Sequence, residues 1–560
     1  MSPSSSSTTA AEQQAEPVLP STPPRASFKQ LPGDASTPPP TSTTFNLNAQ
    51  DPRPKLRDHL LNVLKGLPGT RTFHVHVLQT APRKSNALFP FAKPKPARAY
   101  LQDILILCSE QDGLHPPTTS MDPELVSEAK KSESPRVMVT AIEANVYLLA
   151  ATSSAVLYIS KVDTTGQGAQ PSPTTALVRA LIGFFLDPFT RPVPADQVWV
   201  QLFARAQSQY LFPNSADWSG KKPLGDRQLC AWWRKVLGRT AEDVKKAYED
   251  RRKVEGGEEM DMRMFYILPG FTELEGAHAL KVAGGVNGDD GKGWVYGHPY
   301  SQKGVRLPCP GAEEGAKNLG VYIPYFDDDP KSRFLDEIAY TTDGDIKSPQ
   351  KKRQKMDKVQ DKREESGAIE KKDDTKALGE LGKVSADEFW ERMSFRQECV
   401  AGAMTGFFTV IGACAGRYGR KESGLAPQAG QVSSALNKRV MTNLVTGSEF
   451  SSRERAIRST ESLETSIKGL CQGLIPTTTT TTSTTVNGFL SAEPSTPRPR
   501  RLELEVSPNP FPEPETTAET YTDYIYGIAL VHNAKASVDK KSENEPVRVL
   551  AVRKKTKRVK

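Results

Sequence analysis

The chain has 560 residues, but only 37% are apolar and 25% are charged, with 40 Gly and 44 Pro interspersed. This argues against one continuous core and predicts a domain of a few hundred residues with extended flanks. Of the formal net charge of +8, six cations sit at the very end (Arg553, Lys554, Lys555, Lys557, Arg558 and Lys560), so a basic body that reads DNA sequence is not indicated. Cys108, Cys230, Cys309, Cys399, Cys414 and Cys471 lie far apart, with no C-x-x-C pair and no histidine at zinc-finger spacing. That pattern predicts reduced, intracellular thiols and no structural metal.

Residues 1–50 contain 25 Ser, Thr or Pro and no apolar period, which predicts a disordered leader. The Ser/Pro/Thr opening also lacks the charged-then-apolar order of a secretion signal. Order is expected from residue 51. Leu56, Leu60, Leu61 and Leu64 have helical spacing, and Phe73 to Val77 alternates as a strand with His74 and His76 on one face, read as partly exposed histidines rather than a metal pair. Strand-like runs follow at Tyr100 to Cys108, Val137 to Ala151 and Ala155 to Ile159, with a Pro/Ser/charged insertion near 112–136. Pro173-Thr174-Thr175 before Leu177, Leu181, Phe184 and Phe185 predicts a capped amphipathic helix, and Val198 to Phe203 another strand.

Gly256 to Met260 and Gly284 to Gly293 read as surface insertions, and 343–384 as a charged insertion. Ser385-Ala386-Asp387-Glu388 fits a reciprocal capping box. Cys399 to Gly416 runs 18 residues without a charge and contains Gly402-x-x-x-Gly406. Its glycines and lack of Leu make it a poor membrane span, and a buried segment of a soluble core is expected. Beyond 470 the chain turns low in complexity, and only the apolar run from Tyr524 to Val531 can dock. The predicted fold is mixed α/β: a central mixed or antiparallel sheet surrounded by helices in one catalytic domain, 51–470, with the leader 1–50 and a tail, 471–560, ending in the basic run.

Three clusters carry candidate chemistry: Tyr158 to Thr164 at a strand end, Gln209 to Pro213 together with Trp232-Trp233, and Tyr325 to Phe334 with its three aspartates. Each also has a plain structural reading. Asp163-Thr164-Thr165-Gly166 suits a turn, a tryptophan beside Leu229 and Leu237 suits packing, and the aspartates suit the N-terminus of a helix starting at Pro330.

Together, Ile159-Ser160-Lys161-Val162-Asp163-Thr164, Ser208 to Pro213, Trp232-Trp233, Asp328-Asp329-Pro330-Lys331-Ser332-Arg333-Phe334 and Phe389-Trp390 with Arg396-Gln397-Glu398 resemble the fungal histone H3 lysine acetyltransferase family. That family is chaperone-dependent and structurally related to CBP-type acetyltransferases. The resemblance spans roughly residues 51–450. It implies acetyl-CoA as co-substrate, without a metal. It sets Val162, Asp163 and Thr164 along the acetyl-pantetheine arm, Ser172, Thr174 and Thr175 at the phosphates, and Phe203, Gln207, Lys222, Pro223, Leu224 and Trp232 around the rest of the cofactor. The helix start at Thr174 suits a pyrophosphate physically as well. Where the family can place arginines before this helix, this chain has Ser172-Pro173-Thr174-Thr175, so charge neutralisation falls to Lys222 or Arg179.

By the same resemblance Asp329 takes the proton from the substrate lysine. In an alternative led by positioning, Trp233 and Tyr210 wall an apolar lysine channel and Asp328 with Asp329 orients the amine. Lys331 matches a lysine that the family acetylates on itself. The expected substrates are tail and first-helix lysines of histone H3 in H3–H4, presented by histone chaperones in the nucleus, without sequence-specific nucleic-acid binding or a membrane. The competing reading is a non-catalytic nuclear scaffold that binds histones or histone chaperones.

Overall fold

The computed structural model describes residues 54–93, 97–111, 134–256, 258–284, 291–311, 318–340, 379–396, 403–414, 428–473 and 513–534. The leader 1–50, the insertion over 112–133, the charged stretch 343–376, Gln397, Glu398 and the basic run 553–560 lie outside the described residues.

Leu56, Leu60, Leu61 and Leu64 are the buried stripe of α1 (Leu56–Leu64). The strands β1 (Gly69–Thr80), β2 (Arg83–Phe89), β3 (Ala97–Gln111), β4 (Arg136–Leu149) and β5 (Ser154–Thr164) follow. β1 pairs antiparallel with β3, β3 with β4, and β4 with β5, while β2 hangs on β3. The direction then changes: β5 passes through α2 (Thr174–Leu186) to β6 (Gln197–Ala204), which runs parallel to it. Next come α3 (Asp226–Glu255), β7 (Asp261–Ile267), α4 (Glu273–Gly284), β8 (Trp294–Tyr296), α5 (Pro330–Tyr340), α6 (Ala386–Met393) and β9 (Gly406–Ala413). They end in β10 (Gln431–Val432), α7 (Ser434–Thr446), α8 (Arg453–Cys471) and β11 (Tyr526–Asn533). All eleven strands join one mixed sheet, with β9 between β6 and β7.

Both faces of this sheet are covered, which explains why its strands are so apolar. Leu157, Val198, Val200, Phe408 and Val410 face a core shared with α1, α2, α3 and α8; Val156, Tyr158, Trp199, Phe407 and Ile411 face a second core built on α5 and α6. Within the uncharged run 399–416, Gly406–Ala413 is therefore a central strand, and no helix among the described residues is long and apolar enough to cross a membrane.

Several local expectations are corrected. His74 and His76 are buried, because β11 and the turn Tyr521–Ile525 cover β1. Tyr526 Oη lies 2.7 Å from His74 Nδ1 and Tyr521 Oη 3.1 Å from His76 Nε2, partners too distant in sequence to be read locally. The apolar run 524–531 does dock, as β11, so the tail 471–560 contributes a strand to the sheet. Met260 is buried, and within 379–384 so are Leu381 and Val384, so the charged insertion gives way to core before 384. At the start of α2, Pro173 holds the N-cap position without a side-chain cap. At α6 only half of the capping box forms: Ser385 Oγ accepts the Glu388 N–H at 3.2 Å, while the Glu388 carboxylate pairs with Arg392, one turn on, at 2.5 Å.

Candidate functional site

The parallel pair β5 and β6 brings two carboxyl ends and a helix N-terminus together, since the crossover must bring α2 back between them. Crevices of this kind hold ligands in open α/β sheets. The first N–H groups of α2 have no intrahelical partner and sit at the positive end of its dipole.

Asp163, near the end of β5, organises the opening. Its Oδ2 accepts the backbone N–H groups of Tyr210, Leu211 and Phe212 at 2.7, 2.8 and 3.1 Å, and its Oδ1 meets Lys221 Nζ at 2.9 Å. Lys221 also donates to Ser215 Oγ at 2.7 Å. The Asp163 carboxylate is thus taken up in holding the loop after β6 against β5. Beyond it, Gly166 has φ +72°, and a Cβ there would lie 2.5 Å from Lys221 Cα. The loop into α2 is anchored from below by a buried pair, Arg71 Nε to Glu110 Oε1 at 2.7 Å; Arg71 donates onward to the Pro171 and Ala169 carbonyls at 2.7 and 2.9 Å.

These elements enclose a cavity of about 420 Å³, within the usual range for small-molecule sites. Val162, Asp163, Thr164, Ser172, Thr174, Thr175, Phe203, Gln207, Lys222, Pro223, Leu224 and Trp232 all line it, as do Tyr210 and Trp233. Trp232 Nε1 donates to Thr175 Oγ1 at 3.2 Å and packs edge-on against Trp233, which is buried and continues into the core. Burial pushes the Tyr210 phenol up to about 12, and its hydroxyl donates to the Arg205 carbonyl. Arg179 is not in the lining and pairs with Asp243 instead, whereas Arg205 and Lys222 both line the cavity.

The aspartate cluster sits beside this cavity, and its members diverge. Asp328 accepts from Ser160 Oγ at 2.7 Å and Tyr158 Oη at 3.0 Å, with Lys161 Nζ at 3.6 Å; Ser160 and Lys161 belong to the cavity wall. Asp329 is fully buried and outside the lining. It caps α5, its Oδ1 accepting the Lys331 N–H at 2.9 Å, and its Oδ2 receives Lys331 Nζ. Burial pushes the Asp329 carboxyl above the ordinary carboxylate range despite the opposing Lys331, and burial likewise draws the Lys331 amine down despite Asp329. The Lys331 ammonium lies 4.2 Å from the centre of the Phe326 ring.

Sequence reasoning did not single out Lys221, Arg205 or the Arg71–Glu110 pair. Lys221 was legible only as the neighbour of Lys222, and Arg71 and Glu110 as charges in otherwise apolar strands. Among the described residues no group of three or more His, Cys, Asp or Glu is placed to hold a metal ion.

A mixed α/β sheet with a cavity at a parallel-strand switch, walled by tryptophans and flanked by buried carboxylates, defines an enzyme of the group-transfer class. The chain belongs to the family of the histone acetyltransferase KAT11-type domain, which matches residues 186–466. Relatives include histone acetyltransferase rtt109 of Aspergillus flavus, 30% identical over 297 residues, and that of Schizosaccharomyces pombe, 25% identical over 260 residues. The matches cover 50% and 46% of this chain, and 46% and 52% of those relatives, so the chain spans about half of their length. The crystal structure of Rtt109 from Aspergillus fumigatus aligns with a TM-score of 0.53 at 22% identity, covering 86% of this chain and all of that one, a likeness of fold. Val162 to Thr175 lie before the family match, and the tryptophan pair and aspartates lie within it.

Proposed function

We propose that this chain transfers the acetyl group of acetyl-CoA to tail and first-helix lysines of histone H3, in H3–H4 delivered by histone chaperones in the nucleus. The observation that carries this reading is the convergence of every cofactor-assigned residue on one cavity at the N-terminus of α2. Residues 162–164 would flank the pantetheine arm, and the α2 N-terminus with Lys222 and Arg205 would meet the phosphates. Arg205 takes the place given to Arg179, whose charge is committed to Asp243.

Amide formation needs a neutral amine: the C–N bond forms as the thioester C–S bond breaks, the CoA thiol leaves, and the amine's proton passes to an acceptor. Trp233 and Tyr210 supply a poorly solvated approach that disfavours ammonium. Asp328 is the carboxylate nearer the cavity and orients the amine. Asp329, raised by burial, is the better base of the two, but only when the Lys331 charge no longer holds its oxygen. Acetylation of Lys331 would remove that charge, tying activation to self-modification.

The test is incubation of the purified chain with labelled acetyl-CoA and H3–H4, with and without a histone chaperone. Label on H3 that the chaperone increases supports the reading; binding of H3–H4 without any transfer would make the chain a scaffold.

A further inference from the structure

Strand β5 carries one extra residue where it approaches the cavity. Glu143 of β4 stands opposite Lys161 and Ala144 opposite Ile159, so Ser160 bulges out of the ladder. Residues three apart on a regular strand face opposite sides. The bulge instead turns Tyr158 and Lys161 to the same side, towards Asp328, as bulges beside functional sites often re-aim side chains.

Lys161 thereby stands between two carboxylates. Its ammonium lies 2.6 Å from Glu143 Oε2 and 3.6 Å from Asp328 Oδ2, and both Lys161 and Glu143 are half-buried. Burial alone would lower the Lys161 amine, but the attraction of Glu143 and then of Asp328 prevails and raises it above its ordinary value. Lys161 is therefore charged at neutral pH. On Asp328, Tyr158 Oη and Ser160 Oγ each donate to a different oxygen, so a further donor can still be accepted.

An amine bound to Asp328 alone would be held as ammonium, because a carboxylate favours the charged form of its partner. That form cannot attack a thioester. A substrate amine at hydrogen-bond distance from Asp328, about 3 Å, lies within about 7 Å of the Lys161 ammonium. Two such cations disfavour each other, and since Glu143 secures the proton of Lys161, the substrate amine is the one that yields.

We propose that Lys161, held by Glu143, is a positioning residue that keeps the substrate lysine unprotonated on Asp328. The inference rests on the reading of Asp328 as the carboxylate that orients the substrate amine. The amine's proton passes to its acceptor, the C–N bond forms as the C–S bond breaks, the CoA thiol leaves, and Lys161 gains and loses nothing. The other titratable groups around Asp328 are Tyr147 on β4, Tyr158 on β5, Tyr210 after β6, and Asp329 with Lys331 at the start of α5. Burial, first among the causes, raises all three phenols, so they remain neutral, while Asp329 and Lys331 pair with each other. Arg205, beside Tyr210, carries a fixed charge.

The experiment measures single-turnover acetyl transfer from acetyl-CoA to a free H3 peptide between pH 6 and 9, using the full-length protein and variants whose folding is checked by melting curves. In Lys161→Met the ascending limb should move to higher pH by about one unit, a roughly tenfold loss of rate below the limb. Lys161→Arg, which keeps the cation, should stay near wild type. The isosteric Glu143→Gln should move the limb the other way, to lower pH, a readout that does not depend on the Lys161→Met protein folding. The double variant, in which the two charges are removed together, should return towards wild type. A loss in Lys161→Met that is equal at every pH, or a limb that stays in place in Glu143→Gln, overturns the role of Lys161 and leaves acetyl transfer standing. Absence of transfer by wild type to the peptide and to chaperone-presented H3–H4 overturns the acetyltransferase reading and this role with it.

Discussion

Asp328 and Asp329 are adjacent, yet one is 37% exposed at the edge of the cavity and the other 1% exposed beneath an ammonium. Asp329→Asn preserves an oxygen able to cap α5 while abolishing its basicity, so turnover should fall by roughly 10²-fold or more with the helix intact. Steady-state kinetics and circular dichroism of the variant check this, and near-normal turnover would remove Asp329 from the proton's path. A different residue-scale consequence concerns His76, whose imidazole is drawn down from 6.5 to about 3, first by burial and then by the His74 and Arg136 charges. Its folded value is depressed, so its contribution to stability is complete above 6.5 and is lost as pH falls towards about 3, by at most about 1.4 kcal/mol per pH unit. His74, Arg136 and Tyr521 face it on β1, β4 and the covering turn. His76→Gln does not titrate, so its melting temperature should fall less steeply over that window than wild type; equal slopes would assign acid lability to other groups.

At the scale of elements, the loop from β5 to α2 concentrates the site's structural demands. Gly166→Ala needs a left-handed backbone and forces Cβ onto Lys221, at a cost of roughly 1–3 kcal/mol. The Asp163–Lys221 arrangement should open, weakening acetyl-CoA binding more than it lowers the melting temperature. Calorimetric titration beside a thermal scan decides, and unchanged affinity would show that the loop tolerates the strain. This loop also marks the limit of what the sequence discloses. Helix α1, strands β3 to β6 and the Pro330 helix start were legible, because apolar spacing and proline placement are local signals. The order that puts β9 between β6 and β7 was not, since pairing between distant strands leaves no periodic trace. Within the site, the aromatic and aspartate clusters were legible as compositional oddities. By contrast, Lys221 at Asp163 and Arg71 at Glu110 look like any surface charge until the fold buries them. Likewise, His74 and His76 alternate as half-exposed strand residues would, and only β11 reveals why they are buried.

Across the whole molecule, the C-terminal stretch divides into a strand that belongs to the sheet and a charged end that carries six of the eight net positive charges. Their roles separate by truncation. Removing 553–560 touches no pairing of β11, so activity on free H3 peptide should persist, while activity on chaperone-presented H3–H4 should drop. Because such docking would be electrostatic, the tail's advantage should shrink as ionic strength rises through the physiological range, where charges are screened over about 8 Å. Removing 513–560 also strips the strand from β1, takes away the aromatic pair Tyr521–Tyr526 and uncovers His74, His76 and the apolar neighbours of Ala529. Burying one such apolar side chain is worth about 1.5–3 kcal/mol, so the longer truncation should lose thermal stability and activity on both substrates. Kinetics on peptide and on chaperone-bound histone over a salt series, run beside melting curves, distinguish the two truncations. If the short truncation lost as much on peptide as on chaperone-bound substrate, the basic end would be supporting the fold, and the electrostatic account of partner choice would fall.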